Sequence, residues 1–355
     1  MRDIGAGELP NRRAALGALL VGGAGVVSIG GFLFARDVIG PERLTAGRIV
    51  DRLQAVGGRF PGFRRNHAKG VAVAGRFESN GGAAELSTAS VFRAGNHALR
   101  GRFSLSGGNP DQTDAVGAVR GLGLWFALPG GEQWRTAMVN LPVFPDPTPR
   151  DFYDRQLAYA PDPATGKPNP HRVAAYLAAH PETAAAMRVI AAHPPSPTFA
   201  TSIFRGLNAF WCVDDAGRRT PVRWELTPRN GPTTPSSAGR DVLFDDLVTA
   251  LRRGPLSWTL TVIVGVAGQD PTDNASVPWP SERRRIEAGT VVLTDIATET
   301  AANVRDVNFD PLVLPGGIEP SNDPLLQARS AAYAESYRRR AGEPGCPGSV
   351  RVVGL

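Results

Sequence analysis

Between Gly70 and Phe144 the chain is divided into short apolar or alternating runs by glycine, asparagine and proline. The runs are VAVAGRF, AELSTASVF, ALRGRFSLS, GLGLWFAL and AMVNLPVF. Runs of this length and spacing are typical of antiparallel strands in a barrel or a sandwich. The 41 glycines and 31 prolines favour frequent turns and exclude a long helical bundle or coiled coil.

The rest of the chain mixes helical and strand-like patterns. Apolar spacing predicts helices at Leu44–Val56, 171–194, 246–253 and 324–341, the last after the cap residues Ser321-Asn322-Asp323. Pro181 is either a break or a new first turn in the second of these helices. Strands are predicted within 200–230 and at 256–267, a long connection at 145–170, and irregular structure at 275–320. The fold class is therefore α+β, an antiparallel β-barrel wrapped by helices and long loops.

The N-terminal segment contains a run without charge from Ala14 to Ala35, directly after Arg12 and Arg13. A run of this length spans a hydrocarbon core as a helix, and the preceding arginines keep the short N-terminus in the cytoplasm. The sequence thus predicts an anchor in residues 1–36 of a bacterial inner-membrane protein, with a single domain in 37–355 facing the periplasm. A cleaved signal and an exported soluble form remain the alternative.

Charge and cysteine content exclude several classes of protein. The formal net charge is +6, and only Lys69 and Lys167 are lysines among 39 basic residues. No basic stripe with interleaved aromatic residues is present, so nucleic acid is not an expected partner. Cys212 and Cys346 form no C-x-x-C motif, which excludes a zinc ribbon. The two cysteines could pair with each other or be unrelated thiols.

Three segments carry residues suited to chemistry: Arg64-x-x-His67, Arg102-Phe103-Ser104, and Arg329-x-x-x-Tyr333. Each is weak alone, but in this order they resemble the haem catalases. Further matches are Asn140-Leu141-Pro142-Val143-Phe144, Val307-Asn308-Phe309-Asp310-Pro311 and Pro315-Gly316-Gly317-Ile318-Glu319. The resemblance extends from about Arg64 to Arg340 and is strongest to the short catalase-related peroxidases. It implies haem b, an iron porphyrin, buried beside the barrel.

The resemblance implies a role for the helix that carries Tyr333. Tyr333 matches the residue that ligates the haem iron, and a phenolate ligand favours ferric iron. Arg329 lies one helical turn earlier and matches the residue that keeps this phenol ionised. Tyr337 is the competing phenol one turn later, and we interpret it as a packing aromatic.

The same resemblance implies acid–base groups on the peroxide side of the haem. His67 matches the histidine that moves a proton between the two peroxide oxygens, and Ser104 matches the hydroxyl that orients its ring. Asn140 is the nearest candidate for the amide of this pocket, although Val139 occupies the position where the family pattern has the functional Asn. Phe144 and Phe152 match aromatic residues that line the pocket.

Three arginines match residues that bind the haem propionates: Arg64, Arg102 and Arg340. Two carboxylates buried in protein need cationic partners, and arginine offers a bidentate one.

Departures from the family pattern bear on activity. Ala118 replaces an Asp of the peroxide channel, Ser106 replaces a Val, and Asn66 stands before the histidine. These changes predict weak catalase activity at most, and a peroxidase that accepts organic hydroperoxides and a small-molecule or protein electron donor. The alternatives are a fatty-acid hydroperoxide isomerase of the allene oxide synthase kind and a haem-binding protein without turnover. The oligomeric state stays open.

Overall fold

The computed structural model describes residues 44–233, 235, 239–345 and 348–355. Four of the five glycine-divided runs contribute to antiparallel strands. Eight strands have the bounds β1 Gly70–Ser79, β2 Gly95–Leu105, β3 Arg120–Ala127, β4 Gln133–Val139, β5 Phe204–Val213, β6 Arg219–Pro228, β7 Leu256–Val264 and β8 Arg285–Ala297. A short strand β9, Ile318–Pro320, pairs with β5. The prediction of an antiparallel barrel is confirmed.

The strands follow the spatial order β4-β3-β2-β1-β8-β7-β6-β5, and a β4–β5 pairing closes the barrel. That closure rests on one register pair, Val139 opposite Arg205, whereas the other neighbouring strands pair over seven or more positions. The β4–β5 seam is thus the narrowest contact in the wall.

The barrel interior is filled by aromatic and branched side chains. Trp134 stacks on Phe126 at 4.7 Å between ring centroids and meets Trp224 edge-on at 5.1 Å. Offset and edge-on pairs of buried rings contribute roughly 0.5–1.5 kcal/mol each beyond their area. This packed core positions the outward-facing side chains of the same strands, because successive residues of a strand point to opposite faces.

The described part of the chain contains six α-helices: α1 Ala46–Gly57, α2 Pro149–Ala158, α3 Pro170–Ala179, α4 Pro181–Ala192, α5 Val242–Arg253 and α6 Pro324–Ala341. Helix α6 begins as predicted, with the Asp323 side chain accepting a hydrogen bond from Leu325 N. Pro181 starts α4, so the second of the two readings of that proline is the correct one. Helix α1 packs against α6 and α2, and residues Ala46–Leu355 form one compact unit.

Some local predictions are wrong. Residues 84–92 form turns and a short 3-10 helix instead of a strand, because they bond to two distant segments: Thr88 N donates to Val213 O, and the Ser87 side-chain Oγ donates to Gly317 O. The AMVNLPVF strand ends at Val139. The connection at 145–170 contains α2, whose N-cap is Thr148. The segment 275–320 contains β8, whose alternation is obscured by register shifts against both neighbours.

The predicted anchor at Ala14–Ala35 lies outside the described residues, and both this anchor and the membrane location stay predictions. No helix among the described residues is long and apolar enough to span a membrane.

Cys212 is buried in the barrel core, where burial raises the pKa of its thiol to about 12. Cys346 is also outside the described residues.

Candidate active site

A cavity of about 220 Å³ lies against the outer face of strands β2 to β5, between them and helices α1 and α6. Nine of the ten side chains selected from the sequence line it: Arg64, His67, Arg102, Ser104, Phe144, Phe152, Arg329, Tyr333 and Arg340. Six arginines and no aspartate or glutamate line the described walls, so the cavity suits an anionic ligand.

His67 is held in a fixed position at one wall of the cavity. Its Nδ1 lies 3.0 Å from Ser104 Oγ, and its backbone has a φ of 56°, the only positive φ of a described non-glycine residue. The Asn66 side chain stabilises this turn, because its Oδ1 accepts from His67 N (3.0 Å) and from Gly107 N (2.9 Å). Strain of this kind at a pocket residue persists only where surrounding contacts enforce it.

The electrostatics of the cavity keep the His67 imidazole neutral. Burial, and after it the positive charges of Arg102, Arg329 and Arg64, lowers its pKa to about 3. Nε2 has no hydrogen-bond partner among the described residues. A neutral ring with one nitrogen against Ser104 and the other free can accept a proton and return it.

Gly121 leaves the space that the His67 ring occupies. It is the register partner of Ser104, and a Cβ at this position would lie 2.8 Å from Ser104 Oγ and 3.0 Å from His67 Cε1 and Nδ1. We expect Gly121→Ala to displace the imidazole by a few tenths of an ångström and to lower the rate of any reaction that uses this imidazole roughly tenfold. Steady-state rates measure this effect. Gly117→Ala is the control, since a Cβ there meets nothing within 4 Å; equal rates in the two variants would contradict the expectation.

Tyr333 lies beside a chain of polar contacts that starts at Arg329. Arg329 Nη2 donates to Tyr333 Oη (3.4 Å) and to Ala137 O (3.0 Å), and Nη1 donates to Asn208 Oδ1. Asn208 Nδ2 in turn donates to Asp323 Oδ2 (2.7 Å). Burial raises the Asp323 pKa to about 6, although these contacts oppose the shift. The chain fixes the guanidinium next to the phenol oxygen.

The three arginines chosen as carboxylate partners gather at one edge of the cavity. They surround the Glu299 carboxylate, which accepts from Arg102 Nε (2.7 Å) and Nη2 (2.8 Å) and lies 3.7 Å from Arg64 Nη2. Arg340 is 7% exposed, yet its Nε and Nη2 have no hydrogen-bond partner among the described residues. Burial lowers the Arg340 pKa to about 10. Buried donors without acceptors indicate that a ligand carboxylate belongs there.

Asn140 is placed differently from the expectation. Among the described residues it does not line the cavity: its Oδ1 accepts from Arg120 N (2.8 Å), and its buried Nδ2 has no partner among them. Alternation along β4 instead turns Val139 toward the cavity. An apolar residue thus stands near this wall, and the role of Asn140 as the distal amide stays a prediction. Phe144 and Phe152 pack together there, with ring centroids 6.0 Å apart.

Two substitutions expected to open the peroxide channel lie away from this wall. Ser106 is exposed and Ala118 packs against the barrel core, and neither lines the cavity. Neither substitution changes the lining of the cavity. The departure from the family pattern that does lie in the cavity wall is the apolar Val139.

The residues present fit an iron porphyrin with two propionates. The unpartnered donors of buried Arg340 need carboxylate oxygens, and Tyr333 offers an oxygen ligand beside a fixed cation. Glu299, Asn208 and Asp323 belong to this constellation and were not selected from the sequence, because they lie far along the chain from the groups they contact.

An antiparallel barrel with an acid–base imidazole and a carboxylate-binding arginine cluster in one cavity defines an oxidoreductase of the haem-enzyme class. The family model described as Catalase matches residues 42–344. The chain belongs to the catalase family, and it acts on peroxide. Haem is the cofactor that this family typically binds.

Curated relatives of similar length support the subclass. A catalase-related peroxidase of Synechococcus elongatus is 35% identical over 91% of this chain and 94% of its own length. One of Mycolicibacterium paratuberculosis is 33% identical over 84% of this chain and 96% of its own. These relatives are enzymes, so the alternative of a binding protein without turnover is not retained.

Solved structures confirm the fold. A bacterial catalase superposes with a TM-score of 0.71 at 22% identity, over 85% of this chain and 62% of that one. Catalase A of Saccharomyces cerevisiae gives a TM-score of 0.69 at 22% identity, over 86% and 66%. The chain thus spans about two thirds of the length of these catalases.

Proposed function

We propose that this chain is a haem b peroxidase that reduces organic hydroperoxides and hydrogen peroxide, with weak catalase activity at most. The observation that carries the proposal is the half-buried, neutral His67 imidazole, held by Ser104, in a cavity that also contains Tyr333 and Arg329. A small-molecule or protein donor supplies the two electrons that convert a hydroperoxide to an alcohol and water.

Haem, when bound, would supply the redox chemistry. Tyr333 Oη would be the iron ligand, with the Arg329 guanidinium 3.4 Å away as its cationic partner. Arg64, Arg102 and Arg340 would bind the propionates. His67 Nε2 takes the proton of the hydroperoxide and delivers it to the departing oxygen, while Ser104 prevents rotation of the imidazole.

The apolar wall supports organic substrates. Leu207, Ala275 and Leu325 form a buried cluster, against which Val139 and Phe144 pack. All five line the cavity. The carbon group of an organic hydroperoxide gains free energy by leaving water for this wall, whereas hydrogen peroxide has no apolar part and finds no amide donor at Val139.

The test compares cumene hydroperoxide with hydrogen peroxide, using a dye as donor. We expect the wild type to favour the organic substrate in kcat/KM by at least about tenfold. Val139→Asn should narrow this ratio, because it adds a polar group to the wall. Val353→Asn is the control, since Val353 is 90% exposed. Oxygen release measures catalase activity, and a higher kcat/KM for hydrogen peroxide in the wild type would refute the preference.

Product analysis separates the peroxidase from a fatty-acid hydroperoxide isomerase. The peroxidase yields the alcohol and consumes a stoichiometric amount of the electron donor. An isomerase yields a rearranged product without a donor, and that result would replace the proposal.

A further inference from the structure

Glu299 is an acidic residue inside the arginine cluster at the cavity edge. Its carboxylate is 11% exposed, and the Arg64 and Arg102 side chains that it contacts are 15% and 4% exposed. The three arginines of the cluster, including Arg340, carry a charge of +3, and Glu299 reduces this to +2. The neighbouring Arg305 and Asp306 form their own ion pair (2.8 Å) and add no net charge.

The arrangement of hydrogen bonds divides the cluster into two parts. Glu299 occupies Arg102 Nε and Nη2, and Arg64 donates to the carbonyls of Val304, Arg305 and Val307. Of these three arginines, only Arg340 keeps two buried donors that find no acceptor among the described residues. Buried charges that lack partners are costly, so one carboxylate of the chain compensates part of the cluster and leaves the remainder for a ligand.

We infer that Glu299 is a built-in carboxylate of the cofactor pocket, which leaves the arginine cluster matched to a porphyrin that carries two ionised carboxylates. This inference rests on the proposed function. Before the cofactor binds, Glu299 stabilises two arginines that would otherwise be buried without an anion. After it binds, two propionates bring the cluster to neutrality, and Glu299 repels them. Glu299 therefore makes the empty pocket more stable and the retained cofactor easier to release.

Haem release from the holoenzyme tests this. Protein loaded with haem is mixed with excess apomyoglobin, and the transfer rate is followed by absorbance. Glu299→Gln should slow release by at least about tenfold, because close charge pairs couple strongly when desolvated. The matched control is Glu225→Gln: Glu225 is 10% exposed and also pairs with two arginines, Arg205 and Arg285, outside this cluster. It should leave the rate within about twofold.

Removing the charges of the haem carboxylates provides a second test. Both proteins are loaded with haem dimethyl ester, which has the same ring and no propionate charge. The difference between wild type and Glu299→Gln should then disappear. A difference that survives esterification would show that Glu299 acts through pocket shape and would overturn the inference.

A pair of substitutions that restores the net charge of the arginine cluster distinguishes an effect of charge from a failure to fold. Arg340→Gln leaves a net charge of +1 and should speed release by at least about tenfold. Adding Glu299→Gln restores +2 and should return the rate toward that of the wild type. If Glu299→Gln alone does not fold, the double variant should, since its charge balance is that of the wild type; failure of both would overturn the inference.

The outcomes distinguish this inference from the function on which it rests. A wild type that takes up no haem overturns both. A wild type that binds haem, together with a Glu299→Gln variant that releases haem as fast or faster, overturns only the role given to Glu299.

Discussion

Tyr333→Phe should yield a folded protein that fails to retain haem. The substitution removes one oxygen atom, the one that Arg329 Nη2 approaches to 3.4 Å, and it leaves the ring that lines the cavity. Loss of a residue that merely supports a metal ligand typically costs 10–100-fold in affinity, so loss of the ligand atom should cost at least about 100-fold. Haem content is measured from the absorption spectrum of the purified protein, and folding from circular dichroism.

Tyr337→Phe is the matched control on the same helix. The Tyr337 ring lies 5.1 Å from the Arg340 guanidinium and does not line the cavity. The variant should retain haem with an unchanged spectrum. An empty Tyr337→Phe protein beside a haem-loaded Tyr333→Phe protein would reverse the assignment of the ligand.

His67→Ala should keep haem and lose most of its reactivity toward peroxides. General acid–base catalysis by a positioned side chain contributes about 10²–10⁴-fold, and we expect a loss of this size in the reaction of the ferric enzyme with peroxide. The loss should occur with both hydrogen peroxide and cumene hydroperoxide, because both require the same proton movement. Stopped-flow absorbance measures it.

Two further variants are compared with His67→Ala. Ser104→Ala should cost less, because Ser104 only orients the ring through the 3.0 Å contact. His171→Ala removes an exposed imidazole on α3 and should change nothing. A haem-loaded His67→Ala protein that reacts at nearly the rate of the wild type would leave His67 with a packing role.

The pH profile follows from the same imidazole. Because the His67 pKa is lowered to about 3, the ring is neutral, and able to accept a proton, throughout the range from pH 5 to 8. The reaction with peroxide should therefore show no loss through His67 until the pH falls toward 3.

The sequence was most informative where function depends on local spacing. Arg329 and Tyr333 are four residues apart on a capped helix, so their contact follows from helix geometry once Asp323 marks its start. The strands β1 to β3 could equally be predicted from the sequence, because glycines and alternating apolar residues mark their extent. His67, Ser104 and the three arginines were found by resemblance rather than by any local rule.

Other parts depend on contacts between distant residues. Glu299 is 197 positions from Arg102, and Asn208 is 121 from Arg329 and 115 from Asp323. No periodicity connects such residues. Asn140 illustrates a different limit: one position along the chain at the end of β4 decides which face a side chain occupies, and the family pattern does not resolve that step.

The single register pair that closes the barrel has a consequence for access to the cavity. Val139 and Arg205, the residues of that pair, both line the cavity, so the thinnest seam of the scaffold is also a wall of the reaction chamber. Local opening is least costly where the fewest backbone hydrogen bonds must break. Transient separation of β4 and β5 at this seam would widen the cavity for a bulky hydroperoxide while the other strand pairs of the barrel stay intact.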